Sequence, residues 1–213
     1  MSRTPDAYIK ARTEEIRDAA FRVFVRKGIE PARMQDIAEE AGLSAGALYR
    51  YFDGKEDLTR RVFESCEQAN RELFEQARAV TDSPFEAILA TGRTAWSWFD
   101  ADDARDRLIL HLDSTLAGAR DPEGLGAELA PRTAGVIDEL EQLARAAQAA
   151  GELADDIDAR ALAVTLLALH QGLGILLVGL AATEHQLDTN AVLELLTRML
   201  HAFSPEGRTG HVA

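Results

Sequence analysis

The feature that most constrains this 213-residue chain is a series of short helical signals, each closed by a stop, between residues 13 and 58. Thr13 followed by Glu14 and Glu15 predicts a helix start, because a hydroxyl can cap the first turn and the helix dipole favours acids there. Ile16, Ala19, Ala20, Val23 and Phe24 then recur at helical spacing and form one apolar stripe. Arg26 and Lys27 load the last turn, and Gly28 stops it. A short helix is expected over about residues 34–41, with Ile37, Ala38 and Ala41 facing inward and Gly42 ending it. Leu43 and Ser44 make the turn, with Ser44 as a cap. Another short helix is expected to run from Ala45 to Tyr51, and Asp53-Gly54 breaks the chain before a long helix from near Lys55. Two short helices joined by a glycine-containing turn make a helix-turn-helix. Its second helix would present Ser44, Ala45, Ala47, Tyr49, Arg50 and Tyr51 to a major groove. Their hydroxyls and guanidinium suit phosphates and base edges, and the Ala47 methyl suits a thymine methyl.

Charge divides along the same line. Residues 1–60 hold 11 basic and 11 acidic side chains, so residues 61–213 carry the whole net charge of −13. Such a balance excludes a protein that coats nucleic acid by bulk charge, and fits a neutral head on an acidic body. Residues 1–33 hold 8 basic against 5 acidic side chains, and Arg3, Lys10 and Arg12 suggest a basic arm ahead of the first helix. Such an arm either reaches a minor groove or lies solvated.

Ala and Leu far outnumber Val and Ile, so the body is expected to be helical as well. Leu58, Val62, Cys66, Ala69 and Leu73 stripe a helix to about Arg78. Ser83-Pro84 starts another that ends near Asp100, after Trp96, Trp98 and Phe99. Further helices are expected over about 104–119, from Pro131 to about Ala150 with Gly151 as stop, from a cap at Asp156 or Asp158 to about Ala182, and from Asp188 through Phe203, with a loose tail over 204–213. Residues 161–183 carry no charged side chain, a length that nominally spans a bilayer. His170 and Gln171 at the middle, glycines 172, 174 and 179, and Glu184 with no basic cluster beyond favour a helix buried in a core plus a subunit interface, with no membrane contact.

The segment from Ala20 to Leu58 resembles the N-terminal signature of the TetR family of transcriptional regulators. The matching stretches are Phe24 to Gly28, Asp36 to Ser44, Gly46 to Tyr49, and Tyr51 to Leu58. The resemblance implies that Ser44, Ala45, Gly46, Ala47, Tyr49 and Tyr51 lie in or beside the major groove, with the tyrosines and Lys55 on phosphates. Two departures stand out. Arg33 occupies the place where the family usually has a capping Thr, and the recognition helix has no Asn, Gln or Lys to read bases, so DNA shape would carry more of the specificity. Residues 151–179 look like the end of BetI-type effector domains, in which the last two helices of two subunits form a four-helix interface. That places a dimer face at Leu169, Leu173, Leu177, Val192, Leu196 and Met199. It also implies an effector pocket among the body helices, where Trp96, Phe99, His111 and His170 would stand out against the apolar lining.

Catalytic signals are missing. Neither GLGAEL nor GLGILLVG makes a phosphate-binding fingerprint, no histidine pair has metal-ligand spacing, one cysteine adds nothing to a metal cluster, and no Ser or Cys sits in a nucleophile motif. No enzyme activity, cofactor or metal is expected. The sequence therefore predicts an all-α protein of about nine helices: a helix-turn-helix DNA-binding domain over 1–54, a ligand-binding and dimerisation domain over 55–203, and a flexible tail over 204–213. It would be a cytoplasmic one-component regulator, a repressor that binds a near-palindromic double-stranded DNA operator as a homodimer and is released by a small-molecule effector. The alternative is a helical small-molecule-binding protein that has lost DNA recognition.

Overall fold

The computed structural model describes residues 5–180 and 188–205. Nine α-helices follow one another along these residues with no strand among them: α1 (Pro5–Lys27), α2 (Met34–Glu40), α3 (Ala45–Leu48), α4 (Lys55–Ala79), α5 (Pro84–Ser97), α6 (Ala104–Arg120), α7 (Leu125–Ala149), α8 (Ala159–Leu180) and α9 (Thr189–His201). A 3₁₀ turn, Trp98–Asp100, follows α5. The protein is an all-α chain with an N-terminal helix-turn-helix and a C-terminal helical body.

Two compact units emerge. The first comprises residues 1–68 and 106–129; the second comprises residues 69–105 and 130–213. The core of the first is built from the stripe the sequence announces. Ile16, Ala20, Val23 and Phe24 of α1 meet Ile37 and Ala38 of α2, Leu48 of α3, Phe52, and Leu58 and Val62 of α4, with Leu110 of α6 joining them. The second core gathers Phe85 and Ile88 of α5, Leu140, Leu143 and Ala147 of α7, Leu153 of the loop that follows, Leu162 and Ala163 of α8, and Leu200 of α9.

Local chemistry explains most helix ends. The Ser83 hydroxyl accepts from Glu86 N at 3.0 Å and starts α5 ahead of Pro84. Of the two candidate caps for α8, Asp158 is the one used, accepting from Ala161 N at 2.7 Å. Asp188 caps α9 through Ala191 N at 3.0 Å.

Three expectations need correction. First, the opening helix begins at Pro5, not Thr13. No Gly or Pro interrupts residues 6–12, so the helix extends toward the N-terminus, and the Thr13 hydroxyl donates to Ile9 O at 2.9 Å inside it. Lys10 and Arg12 are thus helical rather than part of an arm, and Arg3 lies outside the described residues. Second, α3 ends at Leu48, and residues 49–51 close as tight turns, with Arg50 N donating to Ala47 O at 3.3 Å and Tyr51 N to Leu48 O at 3.0 Å. Third, α7 starts at Leu125 with Pro131 inside it. The Asp121 carboxylate sets that start by accepting from Gly124 N at 3.1 Å and Leu125 N at 3.0 Å. A Cβ on Gly172 or Gly179 would meet nothing within 4 Å in the chain itself. The tail over 206–213 and the end of the apolar stretch over 181–183 lie outside the described residues.

Candidate nucleic-acid interface

The helix-turn-helix is set by one backbone requirement and one packing requirement. Gly42 adopts φ +65, a left-handed conformation that costs glycine little, and this lets Leu43 N reach back to Ala38 O at 2.8 Å. The chain reverses there, and Ser44 caps α3 by accepting from Ala47 N at 3.2 Å. Leu48 and Phe52 are sealed in the core, which orients the helix and leaves its other side outward. Ser44, Ala45, Gly46, Tyr49 and Arg50 are exposed, Tyr49 by 55%; Ala47 and Tyr51 are half-buried, with Tyr51 packed against the head core. Gly46 has open space around it. A Cβ there would meet nothing within 4 Å, so its smallness serves no contact within the chain.

Charges on α1 and α2 mostly clasp the two helices together. Glu40 receives Arg22 Nε at 2.8 Å and Arg26 Nη2 at 3.1 Å, and Lys27 Nζ reaches Asp36 Oδ1 at 2.7 Å. These cations hold the Glu40 and Asp36 carboxyls below the usual carboxylate range. Arg33 stands at the start of α2. Its guanidinium, a donor only, does not replace a capping Thr; instead Asp36 Oδ2 accepts from Arg33 N at 3.0 Å and the Arg33 side chain stays exposed. Lys55 Nζ donates to Glu30 O at 2.6 Å and is partly desolvated, which lowers its pKa. Two N–H donors of the ammonium remain for a phosphate. The turn before α2 is held from the far side as well, because Ile29 N donates to Asp113 Oδ2 of α6 at 2.6 Å. Arg12 pairs with Glu15, which raises its pKa. Sequence reasoning missed the Asp113 and Arg12 contacts.

Residues 16–62 match the family of bacterial regulatory proteins, tetR family. The match falls on the helix-turn-helix and the helices that flank it. YfiR of Bacillus subtilis (strain 168), an HTH-type transcriptional regulator, is 46% identical over 54 residues, which is 25% of this chain and 26% of YfiR. TtgR of Pseudomonas putida is 34% identical over 59 residues, 28% of each chain. The matched region thus spans only about a quarter of these curated relatives. For solved structures the likeness extends over nearly the whole chain. The fatty acid degradation regulator FadR of Bacillus halodurans superposes with TM-score 0.72 at 18% identity, covering 94% of this chain and 97% of FadR. FadR of Bacillus subtilis, solved in complex with stearoyl-CoA, superposes with TM-score 0.73 at 18% identity, covering 89% and 97%. At these identities the likeness shows the fold.

In the second unit, three of the four residues expected at an effector come together. Phe99 and His170 stack with ring centroids 4.8 Å apart, and Trp96 meets both edge-on, at 5.8 Å from Phe99 and 5.9 Å from His170. Trp96 is buried and its indole N–H donates to Thr189 O at 2.9 Å, so it also ties α5 to α9. His111 does not join them: it belongs to the first unit, exposed on α6. Among the described residues, no three His, Cys, Asp or Glu side chains gather into a metal site. Of the residues expected at a dimer face, Leu169 and Met199 are exposed, whereas Leu177, Val192 and Leu196 are half-buried. Leu173 is buried within the unit, because α8 turns Leu162, Ala163, Leu173 and Gly174 toward its own core. The outward side carries Val164, Leu169, Ile175 and Leu176 on α8 and Leu195 and Met199 on α9, all exposed.

Proposed function

We propose that the protein is a one-component transcriptional regulator that represses by binding a near-palindromic operator as a homodimer and lets go when a small molecule occupies the second unit. The observation that carries this reading is the outward side of residues 44–51, a short helix and the turns that close it, where hydroxyls, a guanidinium and an uncrowded Gly46 lie on a segment seated by Leu48 and Phe52. Ser44, Tyr49, Tyr51, Arg33 and Lys55 would hold phosphates, while Ala45, Gly46, Ala47 and Arg50 would meet base edges.

A surface that leaves Ile175 and Leu176 each 52% exposed and Leu195 58% exposed on two helices of one unit is an apolar face of the kind a partner copy covers. Two copies would present two recognition helices to half-sites one helical turn apart, about 34–36 Å. In the body, of BetI type on this reading, the Phe99–His170 stack beside Trp96 is the place for an effector to bind. A coupling of about 1–3 kcal/mol between effector and operator suffices for release. The stearoyl-CoA held by the structurally similar FadR makes a long-chain acyl-CoA the first effector to test.

The decisive experiment selects random-sequence duplexes on the purified full-length chain after ligand stripping, with sedimentation of the protein alone. A two-fold symmetric motif bound by a dimer supports the reading, and Tyr49→Ala should then weaken binding to every sequence. Failure of the stripped dimer to retain any motif would overturn it.

A further inference from the structure

Helix α7 serves two cores in turn. Its opening belongs to the first unit, where Leu125 and Leu129 pack on the head core. That opening is held firmly. The Asp121 carboxylate caps it, and a Cβ on Gly126 would stand 2.5 Å from Gly118 O, so α7 leaves α6 no room there for a larger residue. The rest of α7 belongs to the second unit, where Val136 and Ile137 pack on a core that includes Leu140, Leu143, Ala144 and Ala147. Neither core includes residues 130–135, and the division between the units falls just after Leu129. This stretch holds the two residue types that most weaken a helix, at Pro131 and Gly135. Pro131 has no N–H to give to Ala127 O four residues back, and its ring crowds that carbonyl. Gly135 is exposed and a Cβ there would meet nothing within 4 Å, so packing does not require glycine.

The chain passes between the units at two other places. One follows Arg105, in the first turn of α6. The other follows Gln68, midway along α4. There Leu58 and Val62 lie in the first core and Phe74 in the second, yet residues 64–72 contain neither Gly nor Pro. Helix α4 thus crosses without a weak point, whereas α7 carries two at its changeover.

We propose that residues 130–135 form a hinge in α7, with α4 as the stiff connection, and that this hinge lets the first unit take more than one orientation on the second. Bending at the hinge breaks no core contact and gives up few helical hydrogen bonds, whereas bending α4 would interrupt an intact ladder. The hinge itself follows from α7 alone. Its use, to change the placement of the recognition helices when an effector occupies the second unit, rests on the regulator reading above.

The test uses the full-length chain and the double variant Pro131→Ala, Gly135→Ala. Hydrogen exchange read by mass spectrometry should show amides 132–139 of the wild type opening roughly 10-fold faster than those of residues 64–72, and the double variant should slow them by roughly the same factor. Operator binding is then compared on duplexes whose half-sites are moved one base pair closer together or further apart. The wild type should tolerate both spacings, and the stiffened variant should lose several-fold more affinity on them than on the selected spacing; each single substitution should give part of both effects. Equal protection of the two stretches, or exchange unmoved by the double variant, would overturn the hinge. Slowed exchange and a higher melting temperature with an unchanged spacing profile would show a merely structural effect and overturn its use. A wild type that binds no duplex would refute the DNA-binding reading itself, and the exchange comparison would still decide the hinge.

Discussion

Replacing Gly46 with Ala separates folding from binding at a single position. Gly46 lies in α3 without a positive φ, and a Cβ there meets nothing within 4 Å. Alanine is therefore sterically free in the protein alone. It also narrows the unfolded ensemble, which should stabilise the head by about 0.4–1 kcal/mol. In a chain of this size that corresponds to a rise in melting temperature of roughly 1–4 °C. Bound to DNA, the same methyl would intrude where the backbone approaches the groove. Overpacking costs about 1–3 kcal/mol, which is a loss of roughly 5- to 150-fold in operator affinity. Thermal melts and fluorescence anisotropy with a labelled operator read the two effects independently. The expected result is a more stable protein that binds more weakly. Unchanged affinity would show that the backbone at Gly46 does not approach DNA, and a lower melting temperature would show that α3 is not an unstrained helix.

Three further outcomes test other parts of the structure. Asp113→Ala strands the Ile29 N–H and should destabilise the first unit by about 1–3 kcal/mol, whereas Asp113→Asn keeps an acceptor and should lose less; equal losses in chemical denaturation would refute the role given to this hydrogen bond. Gly126→Ala would put a Cβ 2.5 Å from Gly118 O and 3.0 Å from Asp121 O, both backbone atoms, and should destabilise by about 1–3 kcal/mol; a wild-type melting temperature would contradict the close approach of α6 and α7. The Glu40 carboxyl is held below its ordinary value by Arg22 and Arg26, so the stability it contributes is present above about pH 4.5 and is lost as pH falls through the folded-state value. Glu40→Gln should therefore flatten the acid limb of the stability profile, and parallel profiles for the two proteins would count against the clasp.

Most of the head was legible because its signals are local. Gly28 and Gly42 end helices through backbone conformations that few other residues adopt cheaply, Ser44 caps the helix that follows it, and the stripe from Ile16 to Phe24 declares its buried face by spacing alone. The misjudged start of α1 has a similarly local origin. Thr13 has the chemistry of a cap, yet a threonine hydroxyl inside a helix is equally satisfied by a carbonyl four residues back. The Lys55 and Asp113 contacts were not legible. Each joins a side chain to a backbone atom 25 or 84 residues away, and no periodicity encodes such a pair.

What the sequence by itself determined is the all-helical character, the helix-turn-helix with its seated Leu48, and the places where an uncharged helix must find cover. Propensity, spacing and turn chemistry act over a few residues, so they can be read in order along the chain. The tertiary structure decided which side of each apolar helix is already spoken for. It turned Leu173 inward while leaving Leu169, Ile175 and Leu195 outward, and it gathered Trp96, Phe99 and His170 into one aromatic group while His111 joined the other unit. Helix α8 has no polar face to mark its orientation, so only the shape of the core beneath it could settle which of its leucines that core receives.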